Sequence, residues 1–470
     1  METIIQHVEE FLNKVFAIHA FNITDIDQTA SALKKDSDEL SRKILQTLIE
    51  EMNLSFRADK ETRKELGLAI KEKDRKRSIL SELGELSFTR DYFYNSEKDC
   101  YETPLDQMIG VQKRERIGGA INAKLTTRAT DESYEKSRMS VTGGLVSRQS
   151  VRNAIMKAPA LEKEPASHEK KQVRILDIYA DEDHAHLQKP GKEKGKRSKA
   201  VPLVTVTEGK TEVNLGRKAT VNPMHFVDEK MDSKDLWTSV EGYIDKVYDL
   251  EALETIRIHA DGGSWIKNGL ENFRNVEHVL DGYHLQKQIK KIANKFPNRS
   301  VRSRINESIA ENNRSKAEAI IMALVNECSD YDVLEDLARF NNYLFSNWEA
   351  AVNRFKEGVT GSCTEGQISH VLSKRFSRNP MGWSEEGLGK LSKLRVYCKN
   401  GGEIQAEHFK SSYEVGGNYK SYAEEYLEKQ RGNYDLSWIS EMRETYVFNT
   451  ASGTQQAIKN LGRIRSGILC

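Results

Sequence analysis

The chain has 470 residues, 38% hydrophobic and 30% charged, enough length for two or three domains and enough apolar content for a core. Its 72 Lys and Arg balance 71 Asp and Glu, so net charge gives no argument for a nucleic-acid partner and only its distribution could. Five widely spaced cysteines without a CxxC pair disfavour a disulfide framework or zinc ribbon, the lack of about 18 consecutive apolar residues excludes a membrane-spanning helix, and an amphipathic, acid-containing start is unlike a signal peptide, so a cytoplasmic protein is expected.

Residues 1–80 show helical periodicity. Ile4, Ile5, Val8, Phe11, Leu12, Val15 and Phe16 fall on one face, and the pattern continues through 36–52 and 60–76, as in a packing or oligomerisation arm. Alternation in 86–94, a turn at 95–99 and Tyr101 predict a hairpin whose aromatics pack on those helices. Residues 112–158 carry ten Lys and Arg against four acids. Within them a short helix at 131–139, the turn Thr142-Gly143-Gly144 and a second helix capped by Ser147 form the pattern of a helix-turn-helix. Arg148, Gln149 and Arg152 lie on its exposed side and suit base edges and phosphates; an ordinary helical hairpin shows part of the same pattern.

Residues 159–172 read as a linker, and the texture then changes. Strands are expected at 173–180, 201–207 and 219–227, with a basic loop at 191–198 between the first two. A helix with Leu236, Val240, Tyr243, Ile244 and Val247 on one face precedes two short apolar runs ending in Asp261-Gly262 and Asp281-Gly282. Three strands with short links, then helices alternating with two more strands, predict an α/β fold with a mixed five-stranded sheet in the order of the ribonuclease H-like fold. The mainly helical N-terminal region precedes it. Residues 285–304 hold seven Lys and Arg and no acid, so Lys287, Lys290 and Lys291 are candidates for phosphate contact, or for a solvated helix face. Residues 300–357 read as a helical insertion. A helix opening with Glu365 and another from Ser384 to about Tyr397 close a unit spanning 173–398. Residues 399–470 are polar with scattered aromatics, among them Tyr413, Trp438, Tyr446 and Phe448, and suggest no chemistry.

The carboxylates at element ends are Asp181, Asp261, Asp281 and Glu365. An Asp-Gly strand end is most often only a turn, but neighbouring first and fourth strands would bring Asp181 and Asp261 together, with Glu365 packing across the same edge. Three carboxylates so placed repel unless a cation is present, and an all-oxygen site suits Mg²⁺ or Mn²⁺. Two such ions serve phosphodiester displacement. Asp183 is an alternative first carboxylate. A zinc site from Asp181, Asp183, His184 and His186 is disfavoured because alternate strand residues point to opposite faces. No Walker A, GxGxxG or GxSxG motif occurs. His284 is either a structural helix-start residue or a supporting group beside the metals.

The strings YADEDHAHLQ (179–188), VTVTEG (204–209), HADGGSWIKNG (259–269), LDGYHLQKQI (280–289) and EGQISHVLSKRFSRNPMGWS (365–384) resemble the ISLre type of bacterial insertion-sequence transposase, as does the 133–155 stretch. This is a group within the DDE transposases, close to the Mutator-like branch. The resemblance implies that Asp181, Asp261 and Glu365 are the catalytic, metal-binding triad. It implies that Asp281 and His284 form the Asp-x-x-His signature, and that 300–357 is the family's insertion. It also implies cleavage and joining of DNA, acting on terminal inverted repeats and target DNA as an oligomer in the nucleoid. A catalytically inactive DNA-binding regulator and a simple metal-dependent nuclease are the alternatives.

Overall fold

The computed structural model describes residues 2–16, 25–165, 169–188, 198–214, 217–359, 361, 363–379, 381–410 and 417–433. Most of the expected basic loop (191–197), part of the linker (166–168) and Tyr413, Trp438, Tyr446 and Phe448 lie outside these residues. The chain divides into two compact units, one of residues 1–122 with 406–470, the other of residues 123–405. Among the described residues no helix is long and apolar enough to cross a membrane.

In the first unit the helix Ile26–Ala58 starts at Asp25, whose carboxylate accepts from the amides of Asp27 and Gln28. The helix expected over 60–76 is a correction: helix ends after Lys60–Glu65, and strand β1 (Leu68–Ser81) follows. The charged run 71–77 has no apolar stripe to hold a helix, whereas Leu68 and Ile79 are buried by pairing with β2 (Gly84–Asn95). The latter forms the expected hairpin with β3 (Cys100–Glu102). Leu86, Phe88 and Phe93 pack inward with Ile49, Met52 and Phe56 of the long helix. The expectation that all the hairpin aromatics pack there fails for Tyr92, Tyr94 and Tyr101, which share contacts with one another instead.

The second unit opens with the helical pair. Tyr134–Thr142 ends at Gly143, whose left-handed φ of 60° a side chain would strain, and Arg148–Lys157 begins at Ser147, which accepts from the Ser150 amide. A five-stranded mixed sheet follows, made of β4 (Ile175–His186), β5 (Ser198–Thr207), β8 (Met224–Phe226), β9 (Thr255–Ala260) and β10 (Val276–Leu280). Its spatial order is β10-β9-β4-β5-β8. The first three in sequence are antiparallel; β9 and β10 run parallel to β4, reached through the helices Ser233–Val247 and Ser264–Asn272. The single strand expected at 219–227 is broken. Residues β6 (Lys210–Asn214) and β7 (Arg217–Thr220) form a separate hairpin before β8.

Strand alternation sorts the two faces of the sheet. Leu176, Ile178 and Ala180 of β4, Val204 and Val206 of β5, and Ile256, Ile258 and Ala260 of β9 bury against Leu236, Trp237, Val240 and Ile244 of the crossover helix. The opposite face of β4 carries Asp177, Tyr179, Asp181 and Asp183. Four helices over 301–353 build their own apolar core, continuous with Leu280, Leu285 and Ile289.

Arg395 fastens this unit. It is 1% exposed on the helix Glu385–Lys399, and its guanidinium donates to the carbonyls of Thr130, Val371 and His370 and to the Asp131 carboxylate. Substituting Arg395→Met would leave those buried carbonyls unpaired, and we expect it to cost about 3 kcal/mol or more in urea unfolding. Arg395→Lys should recover only a minor part, since one ammonium cannot span four acceptors. Wild-type stability in the Met variant would refute the clamp.

Candidate functional site

Register builds the site. Tyr179 pairs with His259, and His259 with Val279. Two residues further along each strand the side chains return to the same face, so Asp181, Asp261 and Asp281 fall into one row across three adjacent strands, which stand about 4.8 Å apart. The Asp281 amide donates to the Ala260 carbonyl at 2.7 Å and extends the β9–β10 ladder to the row itself. Asp181 was expected at a strand end, and this is corrected: β4 runs on to His186 against β5. What ends at Tyr179 is its pairing with β9, and this opens the edge where Asp181 and Asp261 face each other.

The row is electrostatically costly. Asp181 is 8% exposed. Burial pushes its carboxyl up to about 6, and the charges of Asp261 and Asp281 add to the rise, while the Glu182 amide and the His284 ring pull the other way. Asp261 accepts from the Gly263 amide at 2.9 Å. Asp281 is 1% exposed and caps the helix Gly282–Ala293, accepting from the His284 amide at 3.1 Å and from His284 Nδ1 at 2.9 Å. That bond to Asp281, with the negative field of Asp181 and Asp261, raises the His284 imidazole above its ordinary range despite partial burial. His284 is thus held in place by the carboxylate that starts its own helix.

The helical insertion closes over the row with residues that the sequence did not single out. The Tyr343 hydroxyl is buried without a hydrogen-bond partner; burial raises its phenol, and Asp261 and Asp281 raise it further. Asn347 lies against Gly262. The Arg354 guanidinium lies over Gly282 so closely that a Cβ there would overlap it, and its Nη1 is also buried and unpartnered. Nothing in local spacing signals these three, since they act across some sixty to ninety residues of sequence. Two orphaned polar atoms beside three carboxylates mark a place where an oxygen-rich ligand would complete the hydrogen bonding.

The other expected residues are distributed as follows. Asp183 Oδ1 accepts from Ser373 and Ser377 at 2.8 and 2.7 Å, so that carboxylate is committed to helix packing. Glu365 lies in the first turn of the short helix Thr364–Ile368, which packs on β4. It is exposed, and the charges that bear most on Asp181 do not include it. Among the described residues no three His, Cys, Asp or Glu side chains are gathered into one metal-binding shell. The chemistry of the donors nonetheless fits a hard divalent cation: Asp181 and Asp261 offer only oxygen, beside a free phenol hydroxyl. His184 and His186 are exposed on the far side of β4 from Asp181 and Asp183.

Of the expected basic contacts, Arg148 and Gln149 are exposed, Arg148 pairing with Glu135 at 2.8 Å and Gln149 with Asn153 at 2.9 Å. Arg152 is half-buried, 3.9 Å from Glu386. Lys287 is exposed, with its ammonium 5.8 Å from the Tyr283 ring centre, and Lys290 is exposed. Lys291 is bound to Asp336 at 2.6 Å, and Lys295 shares that carboxylate. Part of the acid-free stretch therefore serves to dock the insertion.

The profile of an uncharacterised protein family, UPF0236, matches residues 19–412. A UPF0236 protein of Caldanaerobacter subterraneus subsp. tengcongensis, whose name joins eleven locus labels from TTE0033 to TTE2212, is 34% identical over 89% of this chain and 88% of its own length. A second from that organism, TTE0610/TTE0881/TTE1053/TTE2432, is 34% identical over 89% of this chain and 86% of its own. A UPF0236 protein in the vanSb 3′ region of Streptococcus gallolyticus is 25% identical over 72% of this chain and 75% of its own. The solved Drosophila P element transposase strand transfer complex aligns over 68% of this chain and 95% of that one at 10% identity, with a TM-score of 0.21, too slight a likeness to bear on fold or function.

A carboxyl whose folded-state pKa is raised favours folding when protonated and opposes it when ionised. Asp181, moved from 3.8 to about 6, should therefore weaken the fold above pH 6 by up to about 3 kcal/mol. In divalent-free buffer Asp181→Asn is expected to raise the unfolding midpoint near pH 8, with the gain shrinking through pH 6 and vanishing below about 4. A pH-independent effect would contradict the crowding of the row.

Proposed function

The chain belongs to the uncharacterised protein family UPF0236, and we propose that it is a DNA transposase of the DDE kind that cuts insertion-sequence ends and joins them to target DNA. The observation that carries this reading is the aspartate row across three parallel strands, in a sheet whose order, numbered within the unit, is 3-2-1-4-5. That order is the one expected of a ribonuclease H-like fold. The relative whose name joins eleven loci fits a sequence that multiplies within a genome.

Asp181 and Asp261 would hold Mg²⁺ or Mn²⁺, two ions in all, with Glu365 completing the set from the edge of β4. When bound, such ions activate the attacking oxygen of water or of a DNA 3′-hydroxyl and stabilise the leaving 3′-oxygen. His284, fixed through Nδ1 and made more basic, is suited to stay protonated beside a phosphate or to give a proton to a departing oxygen. Arg354 and Tyr343 supply donors from the insertion, able to orient a phosphodiester that enters over the row. Asp281 acts through His284, as a positioning residue.

DNA would be engaged by the helical pair used as a helix-turn-helix. Arg148 and Gln149, exposed at the start of its second helix, would exchange their contacts with Glu135 and Asn153 for base edges, with Arg152 one turn on, and Lys287 and Lys290 would track the backbone near the site. Joining two ends to one target calls for at least two protomers, so an oligomer on DNA and residence at the nucleoid are part of the proposal. One observation favours a second reading: Glu365 stands apart from the row, as it would in a DNA-binding regulator that had lost catalysis.

Purified protein, a terminal-inverted-repeat duplex and Mg²⁺ should yield nicked and joined products, and chelation should stop both. Asp261→Asn is expected to lower product formation by about a thousandfold with DNA binding retained. Undiminished nicking in that variant would remove the triad; end binding without nicking by the wild type would favour the regulator. Arg148→Ala with Arg152→Ala should cost about 1–3 kcal/mol per lost base contact on end DNA, while Lys287→Gln with Lys290→Gln should weaken all sequences alike and flatten the salt dependence.

A further inference from the structure

The first unit's three-stranded sheet has a face turned away from its packed helix. Across it Tyr92 and Tyr101 stack with ring centres 5.2 Å apart and planes 1° from parallel. Tyr94 meets Tyr101 edge-on at 5.4 Å. Lys71 stands 5.3 Å over the Tyr94 ring and Arg75 5.0 Å over that of Tyr92. Tyr101 is 57% exposed, while Phe88 and Phe93 on the reverse face are 2% and 1% exposed.

Within β1 the cations have few competitors, and beyond it the Tyr94 hydroxyl donates to Asp99 at 2.5 Å. Of the two acids in the run 71–77, Asp74 is taken by Arg57, and Glu72 pairs with Arg75 at 3.8 Å. Lys71, Lys73 and Lys76 are exposed and have no anionic partner among the described residues. Breaks in register on either side of Glu72 bulge β1, which turns its side chains relative to the tyrosines. A lysine-rich edge strand alone would serve to block strand addition. Stacked, exposed rings between the lysines have no part in that, since an aromatic surface attracts partners.

We propose that this face binds an unpaired nucleic-acid strand, with bases stacking on Tyr101 and its neighbours and phosphates meeting Lys71, Lys73 and Lys76. Flat rings accept any base face, and flanking cations follow the backbone. In a duplex the bases are already stacked on one another and the faces are not offered, so the surface selects single strands. Stacking makes no use of the 2′-hydroxyl, so DNA and RNA strands should bind alike. The inference is independent of catalysis at the aspartate row.

The test uses the full chain and fluorescence anisotropy at about 0.1 M salt, with labelled thymidine and uridine homo-oligomers of about twenty nucleotides, a duplex of similar length, and polyglutamate as competitor. Tyr101→Ala should weaken both homo-oligomers about tenfold, with duplex affinity unchanged, and Tyr101→Phe, which keeps the ring, should bind as the wild type does. Lys71→Gln with Lys73→Gln should lower the salt slope. Tyr101→Ala binding like wild type, Tyr101→Phe binding as poorly as Ala, an equal loss on duplex, or displacement by polyglutamate as effective as by unlabelled strand would each overturn the proposal. Nicking by Asp261→Asn and wild type reports on the transposase reading separately, so either can fail alone.

Discussion

Everything at the candidate site depends on one constraint, the fixed register of three parallel strands. Side chains in a sheet repeat every second residue, so a one-residue slip of β9 or β10 would send its aspartate into the apolar face beside Trp237. The hydrophobic alternation of Ile256, Ile258 and Ala260 holds β9 against such a slip. The packing free energy of one face thereby holds like charges together on the other. The fold accepts repulsion at the row because the core beneath offers no alternative alignment.

The surroundings of the row temper that repulsion. Asp281 is stabilised by its helix start and by His284, Asp261 accepts from a backbone amide, and Arg354 brings positive charge over Gly282. Asp181 accepts from the Glu182 amide and feels the His284 ring, but burial outweighs both and pushes its carboxyl up. A site poised in this way gives a cation a large electrostatic reward for binding, and gives the empty protein a reason to hold a proton there. Stability and chemistry are in opposition at a single residue.

Much of this was legible in the sequence because it follows from local pattern. Alternating apolar residues ending in Asp261 and Asp281 gave strands and their carboxyl ends, and Ser147 and Gly143 gave the helical pair. Three things were hidden. The run 60–76 looked helical throughout because charged residues are good helix formers, yet from Leu68 on it pairs with β2, and the partner rather than the propensity decided. Tyr343, Asn347 and Arg354 reach the row only through the tertiary fold of the insertion. Lys291 resembled a phosphate ligand, but the acid that claims it, Asp336, lies more than forty residues away.

The insertion's contribution has a consequence for synthesis. The aspartates are all present once residue 281 has been made, but Tyr343 and Arg354 reach the row only after another sixty to seventy residues have been added and have folded into their own helical core. During translation the mutually repelling carboxylates are therefore made before Tyr343 and Arg354, the groups that come to lie beside them. The row is complete only when the insertion has folded, so the order of synthesis sets the covering groups after the carboxylates they cover.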